Sequence, residues 1–285
     1  MDPQSNLPLV SIITPVRNGG PMLEALIESV LSQKYPSIEH VVIDDGSDDD
    51  GSTVGILRRY EQLRWWSEPW TGQYAAMNLG LRRARGSIVC FISADDLCTP
   101  GAVAYAVAYL TGHPEADGVY GKAVYFDQRG QTYPVQIPLY RAPLSWLPYY
   151  YFIPHCALYS RRVALEREGL WFDETLRYSG DYEWMMRISR AKLRIGYIPR
   201  VMAQVRVHPE QTSQTRSHSI EKERALVDHR YGVSRSLQRL VLSALTLRSA
   251  SLRLLHALRI GGAGAARDLV RGWLRMRMPQ DVNKE

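Results

Sequence analysis

Four short apolar runs, each closed by a polar turn and followed by a helical repeat, constrain this chain more than any other feature. VSIIT at 10–14, IEHVVI at 38–43, Leu63–Ser67 and SIVCFI at 87–92 are the runs. They are β-branched, short and apolar along their length, as strands buried on both faces are. Between them Met22–Gln33, Val54–Tyr60 and Gly72–Ala84 place apolar residues at helical spacing, and Thr99–Leu110 follows the fourth run with Pro100 at its start, where a proline is tolerated. Strand–helix alternation of this kind predicts an α/β domain whose sheet is mostly parallel, with helices on both faces. Such sheets bind ligands outside the carboxyl ends of their strands. Pro15–Asn18, Asp44–Ser47, Glu68 and Asp95–Asp96 all follow strand ends, so four strands aim polar groups at one rim.

The pattern changes after residue 115. Gly118–Phe126 and Gln131–Ile137 flank a turn and predict a hairpin. Residues 138–154 are rich in Pro, Tyr and Trp and predict an irregular, aromatic-lined segment. Ala157–Ser160, Arg194–Ile198 and Met202–Val207 are expected as strands, and Asp181–Arg190, 219–230 and 236–278 as helices, the last divided near Gly261–Gly264.

Three cysteines, Cys90, Cys98 and Cys156, form no CxxC pair, which argues against a disulfide scaffold or a structural zinc and suits a reducing compartment. MDPQSNLPLV has no basic region or long apolar stretch of the signal-peptide kind. No stretch of about 18 residues is apolar enough to predict a transmembrane helix. The net charge of +6 is carried by the tail, where residues 235–285 set nine arginines and Lys284 against Asp268, Asp281 and Glu285. The body before it is near neutral. No nucleic-acid module accompanies the basic stripe, so no nucleic-acid partner is expected.

Three carboxylate sites carry the chemistry. Asp44, with Gly46 beside it, suits hydrogen bonds to a ribose or base edge, and an Asp-rich turn explains it as well. Asp95 and Asp96 are hard oxygen donors suited to Mg²⁺ or Mn²⁺ bridging a diphosphate, although Asp96 could simply open the next helix. Asp181 starts an amphipathic helix after Gly180, as an N-cap or as a general base held at the rim.

In order and spacing, VSIITPVRNGG, IEHVVIDDGSDD, SEPWTGQYAAMNLGLRRARGSIVCFISADD, FIPHCALYSRR, SGDYEWMMR and VRVHPEQTS resemble the family 2 glycosyltransferases over about residues 9–215. The resemblance implies a GT-A fold, a Rossmann-like mixed and mostly parallel sheet with flanking helices. It implies an inverting transfer of a sugar from a nucleotide-diphosphate donor, a UDP- or dTDP-sugar, to a hydroxyl of a glycan or lipid-linked acceptor. Residue by residue, it assigns Asp44, Pro15 and Asn18 to the nucleotide pocket, and Glu68, Gly72 and Asn78 to the donor side. It assigns Asp95 to the divalent metal, with Asp96 beside it and His208 near the metal and diphosphate. Asp181 becomes the catalytic base. His155 and Arg187 fall on the acceptor side, and Trp146, in the aromatic segment, suits the apolar face of a sugar.

There are departures. Ser93 stands where the first acid of the metal motif is usual, Trp70 and Ala75 replace two acids on the donor side, and Gly180 replaces the acid that commonly precedes the base. They keep a non-catalytic nucleotide-sugar-binding relative open. A sugar nucleotidyltransferase stays open too, though PVRNGGP is a poor phosphate loop, and so does a membrane-associated scaffold. The expected organisation is a catalytic domain over 1–215 and a helical, basic extension over 216–285. In the extension Leu237, Leu240, Val241, Leu245, Leu252, Leu255 and Leu258 alternate with Arg235, Arg239, Arg248, Arg253 and Arg259. That alternation suits an anionic membrane surface, hence a cytoplasmic protein peripheral on the inner face of the plasma membrane. A helix pair packed on the body, or a dimer contact, suits the same pattern.

Overall fold

In the computed structural model, which describes residues 7–134, 141–245 and 247, the VSIIT run becomes β1 (Val10–Val16), buried along all seven residues. It pairs in parallel with β2 (Ile38–Asp45) on one side and β4 (Ile88–Phe91) on the other. β3 (Arg64–Glu68) extends the sheet in parallel beyond β2. The connections are α1 (Gly20–Leu31), α2 (Ser52–Arg58) and α3 (Gln73–Arg83). Pro21 sits in the first turn of α1, where its missing N–H costs nothing, and Leu23, Leu26, Ile27 and Val30 are buried. α3 lies close on the sheet because Gly80 has no side chain: a Cβ there would stand 2.4 Å from the Ile13 methyl.

The second half is mixed. β5 (Leu97–Cys98) and α4 (Ala102–Gly112) lead to β6 (Gly118–Phe126), which forms a hairpin with β7 (Thr132–Pro134). The turn is held by the Asp127 carboxylate, which accepts the N–H groups of Arg129 and Gln131 at 2.9 Å. Residues 135–137 of the expected hairpin and 138–140 of the aromatic segment lie outside the described residues. The rest of that segment holds a 3₁₀ turn, Leu144–Trp146. β8 (Leu158–Arg161) runs antiparallel between β4 and β6. After it come α5 (Arg162–Arg167), too short to show a helical repeat, and α6 (Gly180–Arg190).

The two strands expected at 194–207 are one, β9 (Ile195–Arg206). Pro199, which cannot donate to a ladder, falls between the two expected strands. The sheet takes it up in an irregularity: Tyr120 pairs with Tyr197 and Lys122 with Val201, so three residues around Pro199 face the single Gly121. The sheet order is β3-β2-β1-β4-β8-β6-β9-β5, with β7 on β6. The longest pairings, β1 with β2 and β6 with β9, are parallel. One core cluster unites Leu26 and Val30 of α1 with α4, β8 and β9, and another sets Leu23 and Ile27 of α1 against Val42, Ile56 and Leu57.

α7 (Thr212–Thr215) and α8 (Ser217–Tyr231) follow, and the first compact unit runs from Met1 to Ser234. The second unit starts at Arg235 and is helical over residues 235–245. Arg248, Leu252, Arg253, Leu255, Leu258 and Arg259 lie outside the described residues. Among the described residues no helix is long and apolar enough to cross a membrane.

Candidate active site

The carboxyl ends of β1, β2 and β4 surround a cavity of about 560 Å³, closed by the starts of α3 and α6 and by the segment after β9. This is a size that suits a small-molecule ligand. Pro15, Asn18, Asp95, Asp96, His155, Asp181 and His208, seven of the residues singled out in the sequence, line it.

Asn18 shapes the rim. Its φ of 55° is left-handed, a region asparagine tolerates better than most residues. There its amide donates to Asp48 Oδ1 at 2.7 Å while its carbonyl oxygen accepts the Asp48 N–H at 2.9 Å. The loops after β1 and β2 are thereby tied together.

On the β4 side, His208 Nε2 lies 3.3 Å from Asp95 Oδ2. The His208 ring is nearly sealed, and its Nδ1 has no hydrogen-bond partner. Asp95 is the open carboxylate of its pair, with a side chain 35% exposed. Asp96 is buried, and its Oδ1 accepts the Arg206 N–H at 3.1 Å. Burial, reinforced by the charge of Asp95, pushes the Asp96 carboxyl well above the usual carboxylate range. The Arg206 guanidinium donates to the Asp95 carbonyl oxygen at 2.9 Å and fixes the turn. A carboxylate oxygen and an imidazole nitrogen on one wall fit a divalent cation that takes its other ligands from a diphosphate and water. Among the described residues no group of three His, Cys, Asp or Glu side chains could hold a metal without such help.

Across the cavity, α6 presents Asp181 in its first turn. Its Oδ1 accepts from the Tyr74 hydroxyl at 3.3 Å, and its Oδ2 lies 3.8 Å from His155 Nδ1. The side chain is 29% exposed, so it is reachable from the cavity.

The other predicted residues do not line this cavity. Asp44 is buried, with Oδ1 accepting the Ser47 N–H at 3.1 Å and Oδ2 the Ser67 hydroxyl at 2.6 Å. Its neighbour Asp45 reaches the cavity wall and accepts the N–H groups of Thr71 and Gly72 at 2.7 and 2.9 Å. Glu68 ends β3 opposite Asp45. Asn78 is buried: its amide donates to the Phe172 carbonyl and to Glu174, and its oxygen accepts the Phe172 N–H. Arg187 clamps Glu183 and the carbonyls of Gly169 and Trp171. Trp146 is 42% exposed at the end of its 3₁₀ turn.

Tyr74, Arg206, Gln211 and Arg224 line the cavity without having been singled out. Tyr74 stands within SEPWTGQYAAMNLG and Arg206 and Gln211 within VRVHPEQTS, while Arg224 lies outside every quoted motif. All four are ordinary residue types, and folding alone brings them to the rim.

The model of the family described as "Glycosyl transferase family 2" matches residues 11–167. An uncharacterized glycosyltransferase of Rickettsia typhi is 28% identical over 77% of this chain and 70% of its own length. One of Rickettsia felis is 30% identical over 75% of this chain, which spans only 37% of that longer protein. Among solved structures, S. aureus TarS 1–349 in complex with UDP-GlcNAc superposes with a TM-score of 0.61 at 17% identity, covering 95% of this chain and 93% of that one. The mannosyltransferase PcManGT from Pyrobaculum calidifontis, in complex with GDP-Man and Mn²⁺, gives 0.59 at 22% identity over 97% and 82%. At these identities the likeness to the solved structures is one of fold, and the fold is of the GT-A type.

Proposed function

Because the chain belongs to glycosyl transferase family 2, we propose that it is an inverting glycosyltransferase that moves a sugar from a nucleotide-diphosphate donor to a hydroxyl of a glycan or lipid-linked acceptor. The observation that carries this is the placing of Asp181 and the Asp95–His208 pair on the walls of one cavity. One wall suits a departing diphosphate and the other an arriving hydroxyl.

Asp181 takes the acceptor proton as the hydroxyl oxygen bonds to the anomeric carbon, and the bond from that carbon to the diphosphate breaks on the opposite face. A carboxylate in the first turn of a helix is favoured in its ionised form by the helix dipole. Asp95 and His208 would hold a divalent cation, Mn²⁺ or Mg²⁺, which neutralises charge on the leaving diphosphate. Pro15 at the end of β1, Asn18 after it and Asp45 at the end of β2 line the cavity where the nucleotide would lie, and Asp44 is buried behind them, bonded to Ser47 and Ser67. Relatives of this fold have been solved with UDP-GlcNAc and with GDP-Man and Mn²⁺, so GDP-sugars join UDP- and dTDP-sugars as candidate donors.

A thermal-shift panel of UDP-, dTDP- and GDP-sugars with and without Mn²⁺ selects the donor, since a ligand of the native state raises its apparent stability. Asp95→Ala should abolish the Mn²⁺-dependent part of nucleoside diphosphate binding by calorimetry. Unchanged metal-dependent affinity in that variant would remove Asp95 from the metal site.

A further inference from the structure

Gly180 and Tyr74, 106 positions apart in sequence, meet under the carboxylate assigned above as the base. A Cβ added at Gly180 would stand 2.7 Å from both Cδ2 and Cε2 of the Tyr74 ring. The backbone at 180 is helical, without a positive φ, so glycine is needed there for space and not for conformation.

The ring cannot swing aside. It is 1% exposed and stacks on Phe172 with centroids 5.7 Å apart, and Phe172 in turn stacks on Trp184 at 4.9 Å. The Tyr74 hydroxyl is thus delivered to Asp181 Oδ1 by a packed aromatic column. Burial, and then the charge of Asp181, hold the phenol well above its ordinary pKa. It therefore remains a proton donor at neutral pH.

We infer that Gly180 and Tyr74 are a matched pair that positions the base. The missing side chain at 180 admits the phenol, the phenol holds Oδ1 of Asp181, and Oδ2, 3.8 Å from His155 Nδ1, is the oxygen that meets the acceptor hydroxyl. The inference rests on Asp181 being the base. Tyr74 is a positioning residue: it neither takes nor gives the transferred proton. A hydrogen bond of 3.3 Å in the resting protein is of the long kind that tightens when substrate closes the site.

Two double-mutant cycles test this, one of stability and one of turnover. In the first, Gly180→Ala should lower Tm by roughly 5 °C in the wild-type background, as overpacking against a fixed ring does. It should cost the same beside Tyr74→Phe, which keeps the ring, and nothing beside Tyr74→Ala. An equal cost in all three backgrounds, or none in the wild type, overturns the pair.

The second cycle follows nucleoside diphosphate released to water from UDP-GlcNAc or GDP-mannose with Mn²⁺, using whichever is hydrolysed faster. Tyr74→Phe should lower kcat roughly tenfold, as loss of a hydrogen bond to a charged group does, with the donor KM unchanged. It should cause no further loss in an Asp181→Asn background. Wild-type kcat in Tyr74→Phe, or the same tenfold loss in both backgrounds, overturns the positioning role and leaves the base in place. Wild-type kcat in Asp181→Asn instead removes the base itself and with it the task assigned to Tyr74, while the stability cycle still decides whether the pair exists.

Discussion

His40 lies within β2 with its ring sealed from water and Nε2 3.0 Å from the Thr14 hydroxyl. Burial drives its pKa from 6.5 down to about 3, because the charged ring has no solvent to replace what folding removes. The unfolded chain takes this proton near 6.5 and the folded one near 3, so between those values the unfolded state binds more protons. Stability from this residue is complete above pH 6.5 and is lost as pH falls, by up to about 1.4 kcal/mol per unit. His40→Gln, which can still bond Thr14, should flatten the fall in urea midpoint between pH 7.5 and 5. An unchanged slope would assign the acid sensitivity to other groups. Asp181→Asn makes the complementary prediction at the site. Asp181 is the second residue of α6, whose N-cap is Ser179 and which has no side-chain cap bond, and asparagine has nearly the same shape, so Tm and donor affinity should persist while kcat falls by roughly 10²–10⁴.

At the scale of elements, α8 serves α6. The Glu223 carboxylate accepts the N–H groups of Arg177, Tyr178 and Ser179 at 2.8, 2.8 and 2.9 Å, the three residues that lead into the helix bearing Asp181. Tyr182 of α6 donates to Asp228 of α8 at 2.7 Å. Glu223→Gln removes the charge that three donors share, and should cost about 1–3 kcal/mol in denaturant unfolding. The same change should lower kcat, since Asp181, the proposed base, would no longer follow a pinned turn. Full stability with wild-type kcat would show that the clamp does not hold the base. Nothing at 223 in the sequence announces this. A glutamate on a polar helix face is the commonest of surface residues, and its partners lie 44 to 46 positions away.

For the whole molecule, the compact unit that ends at Ser234 holds every residue that lines the candidate cavity. A chain ending at Ser234 should keep Tm and donor binding, whereas one ending at residue 215 loses α8 and the Glu223 clamp and should unfold at lower temperature. If the extension carries the protein to anionic membranes, the chain ending at Ser234 should also stop sedimenting with anionic vesicles. Sedimentation equal to that of the full chain would end the membrane reading and leave a packing or dimer role for the leucines.

The strands and helices of the first half were legible in the sequence because each buries its own apolar pattern. Val10–Thr14 needs no partner named to be recognised as a core strand, and Met22–Gln33 shows its buried face by spacing alone. The rim was legible too, since a strand must end in a polar turn and a parallel sheet gathers those ends. Tertiary structure alone decided what crosses between elements. It turned the interruption at Pro199 into an irregularity within β9, because Gly121 and its neighbours in β6 take up the slack. It brought Asp45 and not Asp44 to the cavity wall, because successive side chains of a strand face opposite ways and the sheet determines which way is open. It set Tyr74 beneath Asp181, because the room that Gly180 leaves has meaning only once the first turns of α3 and α6 meet.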